Sequence, residues 1–283
     1  MKVLVTGAKG ALGQDVVALF AQHGHEVVGL DRYDLDITNR DQVMTKIAEL
    51  KPEAIINCAA YNLVDKAEDP ANYPLAHAIN ALGPQYLAEA AASVDAAIVH
   101  VSTDCVFAGD KVEGYIETDA RAPISKYGES KALGEEAVEK VGGKYYIART
   151  SRLFGKPASS GDAKESFVML MLRLAASKPE LGIVDEEVGC PTYTVDLARA
   201  IYDLVVEKHP FGIYHLVNSG AGVTWYTFAE EFFALKHVST PRKPMPATAF
   251  PKPAARPKFS VLLNTKFPPL RNRFEALQDF LKD

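Results

Sequence analysis

The segment Thr6-Gly-Ala-Lys-Gly-Ala-Leu-Gly13 constrains this chain more than any other stretch, with glycines at 7, 10 and 13. It follows the β-branched run Lys2-Val-Leu-Val-Thr6 and opens a stretch from Ala11 to His23 with Leu12, Val16, Leu19 and Phe20 on one side. A short β-branched run before the glycines and a helical period after them predict a strand, a tight turn and a helix. Glycines let the backbone of such a turn approach a pyrophosphate, and the helix start supplies N–H donors and a favourable dipole. A plain turn also uses glycine. The strand before and the helix after are the context that favours a nucleotide.

The same alternation continues. Glu26–Leu30 predicts a second strand, Asn39–Leu50 a helix and Ala54–Asn57 a third strand. An alanine-rich helical stretch from about Tyr73 to Ser93 precedes a fourth strand at Ala96–Val101, and Tyr145–Ala148 is a fifth. Short strands separated by helices predict an α/β fold with a doubly wound parallel sheet. After Arg149 the texture changes. Gly155–Gly161 predicts a loop, and Thr240–Pro257 is too rich in proline for a sheet interior or a long helix. The C-terminal half therefore predicts a smaller, loop-rich lobe over the carboxyl ends of the strands, with Val195–Glu207 a helix returning to the main sheet.

The 283 residues suffice for one large domain or two modest ones. A net charge of -5 without long blocks of one sign leaves no footprint for nucleic acid or an anionic membrane. No apolar run reaches membrane-spanning length, and no basic leader precedes the first strand. Cys58, Cys105 and Cys190 are spaced for neither zinc nor a disulfide framework. A reduced, cytoplasmic setting is expected.

Two side-chain groups could carry chemistry. Asp31 closes the second strand, where an acid can accept from an adenosine ribose 2′-hydroxyl, while Arg32 beside it could meet a 2′-phosphate. Tyr127 and Lys131 lie one turn apart on a helix carrying Ser125-Lys-Tyr-Gly-Glu-Ser-Lys131. That pair reads either as helix surface or as a proton donor beside its electrostatic partner.

Further segments bear on the choice: Asp34-Leu-Asp-Ile-Thr-Asn39, Asn57-Cys-Ala-Ala-Tyr61, Val64-Asp-Lys-Ala-Glu68, Ser102-Thr-Asp-Cys-Val-Phe107, Gly189-Cys-Pro-Thr192, Thr224-Trp-Tyr226, Ala255-Arg-Pro257 and Leu263-Asn-Thr265. In this order, with the glycine loop and Tyr127…Lys131, they resemble the extended short-chain dehydrogenases/reductases. They are most similar to the dTDP-4-dehydrorhamnose reductases, which act last in dTDP-L-rhamnose synthesis. The resemblance implies a Rossmann-type NAD(P)-binding domain over residues 1–150 with about 195–215. A smaller sugar-nucleotide lobe would take 151–194 and 216–283.

It also implies NADH or NADPH as cofactor and a nucleotide-sugar substrate; no residue is assigned to a metal, and a homodimer and an interface metal are left open. Gly7, Gly10, Ala11, Leu12 and Gly13 would line the pyrophosphate, Asp31 and Arg32 the ribose, and Asp36 and Ile37 the adenine. Ala59, Ala60, Tyr61 and Val101 would follow the dinucleotide. Thr103, Tyr127 and Lys131 would be catalytic, the last two also touching cofactor. Thr103, Asp104, Cys105, Arg152 and Arg256 would face substrate. Hydride reduction of a ketone develops an alkoxide, so Tyr127 would deliver a proton while a nearby ammonium lowers its pKa.

The family pattern is not fully kept. Cys105 and Arg152 stand where the family usually has tyrosine and tryptophan, Asn62 replaces a common threonine, and Glu186-Glu187 replaces Asp-Gln. The sugar side has drifted while the cofactor side is intact. A different keto-sugar nucleotide, an epimerase and a non-catalytic NADP-binding regulatory subunit stay open beside the reductase. Cys105 reads more simply as a packed strand-end thiol than as a nucleophile, since the sequence marks no activating histidine for it.

Overall fold

The computed structural model describes residues 1–159 and 165–282, so the end of the expected Gly155–Gly161 loop falls outside the described residues. Six parallel strands form one sheet: β1 (Lys2–Thr6), β2 (Glu26–Leu30), β3 (Ala54–Asn57), β4 (Ala97–Thr103), β5 (Tyr145–Thr150) and β6 (Gly212–His215). Their order is β6-β5-β4-β3-β1-β2. The chain leaves β1 for β2 on one side and returns to β3 on the other. The crevice at the carboxyl ends of β1 and β3 is therefore the switch point where such sheets bind ligands.

Both sheet faces are covered. Helices α1 (Ala11–Gln22) and α5 (Thr194–Val206) bury Val16, Phe20, Leu197, Ile201 and Leu204 against Val3, Val5 and Ile56. On the opposite face α2 (Arg40–Leu50), α3 (Gly83–Ser93) and α4 (Lys126–Val141) pack on Leu4, Ile55, Ile98 and Ile147. Burial on two sides explains why β1 and β3 read as unbroken apolar runs. Each fully buried Val, Ile or Leu side chain contributes about 1.5–3 kcal/mol. Side-chain caps set two helix starts: Asn39 accepts from Gln42 N, and Ser125 accepts from Gly128 N.

The stretch from Tyr73 to Ser93 is helical as expected, but Ala78–Leu82 forms a π turn within it. Buried Asn80 sits there, which is where π turns often serve a site. The remaining elements gather around Phe154, Tyr193, Phe228, Phe232 and Phe280. Trp225 packs at the edge of this cluster and is half-buried. Pro244 lies in the two-strand pairing of Arg242–Met245 with Leu181–Val184, an arrangement that tolerates a residue without an N–H.

Candidate active site

The glycine loop is pressed against the loop after β3. Gly7 has φ +66°, and a Cβ there would lie 2.7 Å from Ala59 N. A Cβ on Gly13 would overlap the Gly7 carbonyl, and Gly10 N donates to that same oxygen at 2.9 Å. Only glycine meets the first two demands. Gly10 starts α1 with no side-chain cap, so among the described residues no capping side chain takes up the first-turn N–H groups at Ala11, Leu12 and Gly13. That donor set fits the pyrophosphate of a dinucleotide.

Asp31 is engaged from several directions. Lys9 forms an ion pair with it, and Tyr33 N donates to its Oδ1 at 2.8 Å. The Lys9 hydrogen bond, then that of Tyr33, hold the carboxyl below its ordinary range. Arg32 is exposed and donates to the Tyr33 hydroxyl at 3.0 Å. Asp36 accepts from Thr38 N and Oγ1 at 2.9 and 2.7 Å, and buried Ile37 packs against Gly83. Tyr61 is pinned by Asn80, whose Oδ1 accepts from Tyr61 N while its Nδ2 donates to Tyr61 O, both at 2.9 Å. Asn80 Nδ2 also donates to Ser130 Oγ at 3.0 Å, which ties the Ala59–Tyr61 loop to α4.

Thr103 ends β4 and Tyr127 starts α4, and the Thr103 side chain is near enough to act on the Tyr127 phenol. Lys131, buried one turn on, donates to Val101 O at 2.7 Å. Burial, only partly offset by Glu135 and Cys58, lowers its pKa to about 8. Burial also raises the Tyr127 phenol, with nearby Thr103 pulling the other way. This differs from the sequence expectation of a phenol lowered by the lysine. Desolvation dominates here, and the Lys131 amine is turned toward β4.

The substrate-side residues are largely braced. Asp104 is buried, and it accepts from Thr103 Oγ1 at 3.0 Å, Ser151 Oγ at 2.7 Å and Ser260 Oγ at 2.6 Å. Its carboxylate joins three segments and holds Thr103 in place. Arg152 donates to Val223 O at 2.9 Å and Glu187 O at 2.8 Å, with its guanidinium 4.0 Å from the Trp225 ring centre. These contacts hold the Arg152 side chain between the Val223 and Glu187 carbonyls and the indole. Arg256 is half-buried, donates to Asp65 Oδ1 at 2.9 Å, and influences the Cys105 thiol, which burial raises to about 12. A thiol so raised stays protonated, in keeping with packing rather than nucleophilic use.

Several contributors escape a reading by motif. Asn57 and His100 form a buried polar chain leading to Lys131. Glu135 pairs with Arg149 behind the site, at 2.7 Å to Nη2, and with Arg121 at 2.5 Å. The one available signal was His100 itself, a lone polar residue inside an apolar strand, which must find a partner once buried.

Residues 1–281 match the family described as the RmlD substrate binding domain. The dTDP-4-dehydrorhamnose reductase of Aggregatibacter actinomycetemcomitans is 42% identical over 82% of this chain and 78% of its own length. The chain belongs to the dTDP-4-dehydrorhamnose reductase family. A solved reductase from Clostridium acetobutylicum superposes with a TM-score of 0.93 at 41% identity, covering 100% of this chain and 99% of that one. The Bacillus anthracis reductase, solved in complex with NADP, also gives 0.93 at 36% identity, covering 99% and 98%.

Proposed function

We propose that the chain reduces the 4-keto group of a dTDP-linked deoxysugar, converting dTDP-4-dehydro-L-rhamnose to dTDP-L-rhamnose with NADPH or NADH. The observation carrying this reading is the placement of Thr103 at the end of β4 near Tyr127, one turn from buried Lys131, on the same sheet edge as the glycine loop after β1. The nicotinamide supplies the hydride when bound. Gly7, Gly10, Ala11, Leu12 and Gly13 would hold its pyrophosphate, and Asp31 with Lys9 and Arg32 its adenosine ribose. Thr103, fixed by Asp104, orients the substrate oxygen. A phenol raised by burial is fully protonated at neutral pH, so Tyr127 arrives loaded with the proton the developing alkoxide needs. The lobe around Phe154 and Phe228, with Arg256 at its edge, would take the sugar nucleotide.

The reading is tested by following NADPH and NADH absorbance with dTDP-4-dehydro-6-deoxy-L-mannose made in situ. Turnover should fall about 10²- to 10⁴-fold in Tyr127→Phe with cofactor affinity retained. Cofactor binding without turnover would move the reading to another keto-sugar nucleotide. Cys105 specifically favours that second reading, because it places a small thiol beside Tyr127 where the family carries a tyrosine. The free thiols of Cys58, Cys105 and Cys190 fit a reducing, cytoplasmic setting.

A further inference from the structure

Behind the catalytic lysine runs a chain of buried polar side chains whose proton positions can be assigned. Thr6 Oγ1 donates to Asn57 Oδ1 at 2.7 Å, and Ala59 N donates to the same oxygen at 3.2 Å. A backbone N–H can only donate, so the Asn57 amide has one orientation. Its Nδ2 faces His100 Nδ1 at 3.1 Å. Since Nδ2 donates, Nδ1 must accept, and the proton of the neutral ring sits on Nε2. His100 is fully buried, and burial pushes its pKa well down, so the ring is neutral.

His100 Nε2 lies 3.3 Å from Lys131 Nζ. An Nε2–H can donate there only to an amine with a free lone pair, which an ammonium lacks. The opposite assignment, an ammonium donating to a bare Nε2, moves the ring proton to Nδ1 and aims it at the Asn57 amide hydrogens. One arrangement satisfies every group. Asn57 donates to Nδ1, Nε2–H donates to Nζ, and Nζ donates to Val101 O. The charged or titratable groups that act on Lys131 from elsewhere are Glu135 on α4 and Cys58 after β3, both of which favour the ammonium. Arg149 already spends the Glu135 carboxylate, and Tyr127 lies one turn back on α4.

We infer that His100 is a positioning residue that donates Nε2–H to Lys131 and thereby favours its free amine while the lysine lies against β4. Lys131 takes a proton from water when it turns away from His100 toward Tyr127 and the cofactor ribose. No bond other than that N–H is made, and the imidazole keeps its own proton throughout. The role in turnover rests on the reductase reading; the tautomer does not.

Two measurements test this. In protein labelled with ¹⁵N-histidine, the His100 ring should show a protonated Nε2 and a bare Nδ1 across neutral pH. A protonated Nδ1, or a doubly protonated ring at pH 7, would overturn the proposal with no need for substrate. His100→Asn keeps an acceptor for Asn57 Nδ2 and removes the group facing Nζ. The alkaline limb of NADPH binding and of kcat should then move up by about one pH unit as Lys131 gains its proton more easily. An unmoved limb in a folded variant overturns the proposal. Loss of turnover on every keto-sugar nucleotide in the parent, with the Nε2–H tautomer in place, would instead count against the reductase reading alone.

Discussion

The carbonyl oxygen of Cys105 occupies the space that a Cβ on residue 128 would fill. Gly128 thereby lets the first turn of α4 touch the loop that follows β4, and this contact sets the approach of Tyr127 to Thr103. Gly128→Ala should push α4 off the loop, costing about 1–3 kcal/mol of stability by overpacking. It should also lower kcat by at least about tenfold, as expected when a reacting group is displaced by around an ångström. Urea unfolding and steady-state turnover check both, with exposed Glu136→Ala on the same helix as the neutral comparison.

Lys9 comes from the glycine loop to neutralise Asp31, the residue that would otherwise repel a 2′-phosphate. Lys9→Ala leaves that carboxylate uncompensated beside the ribose. Affinity for NADPH should fall about tenfold or more relative to NADH, since a like charge at that distance disfavours the phosphate. Fluorescence titrations of both cofactors at low and high salt read the change. Equal losses for the two would show that Lys9 meets the shared pyrophosphate instead.

The sheet and the cofactor loop were legible because their signals are local: β-branched runs, a helical period, and glycines placed where a Cβ would strike Ala59 N or Gly7 O. Thr103, Tyr127 and Lys131 were singled out through motif order, and the fold packs α4 against β4. The bracing of Asp104 was not, because Ser151 and Ser260 reach it from distant parts of the chain. Arg152 likewise finds Val223, Glu187 and Trp225 only after folding. Asn80 hid in an alanine-rich helix whose π turn no periodicity announces.

Acid should weaken the fold in a defined window. His215 is buried among Glu117, Arg149 and Glu135, and burial drives its pKa from 6.5 down to about 4. The unfolded chain protonates this ring below about pH 6.5 while the folded chain does not. Its stabilising contribution is therefore complete above pH 6.5, is lost as pH falls toward 4, and changes no further below that. His100, also held well down, acts in the same direction. Urea midpoints measured between about pH 7.5 and 4 should decline, and His215→Gln should flatten the slope in that interval. A slope unchanged by the substitution would assign the loss to other groups.

Arg152 decides how the substrate side should be read. Its guanidinium stacks on Trp225 and donates to the carbonyls of Val223 and Glu187, while Trp225 Nε1 donates to Glu187 Oε2 at 2.9 Å. A Cβ on Gly189 would come 2.6 Å from Arg152 Nε, so the side chain is boxed in on that flank. Arg152→Met preserves an apolar body over the indole but leaves two carbonyls without their donors. The cost should be about 1–3 kcal/mol, one unsatisfied buried group being worth that much. If the arginine is a strut, KM for the sugar nucleotide changes by less than about threefold while the melting temperature falls by several degrees. A KM raised more than about tenfold at unchanged melting temperature would instead mean that the guanidinium grips the substrate directly, as charge-assisted contacts of that strength require. The two outcomes separate cleanly because one reads the folded ensemble and the other the bound complex.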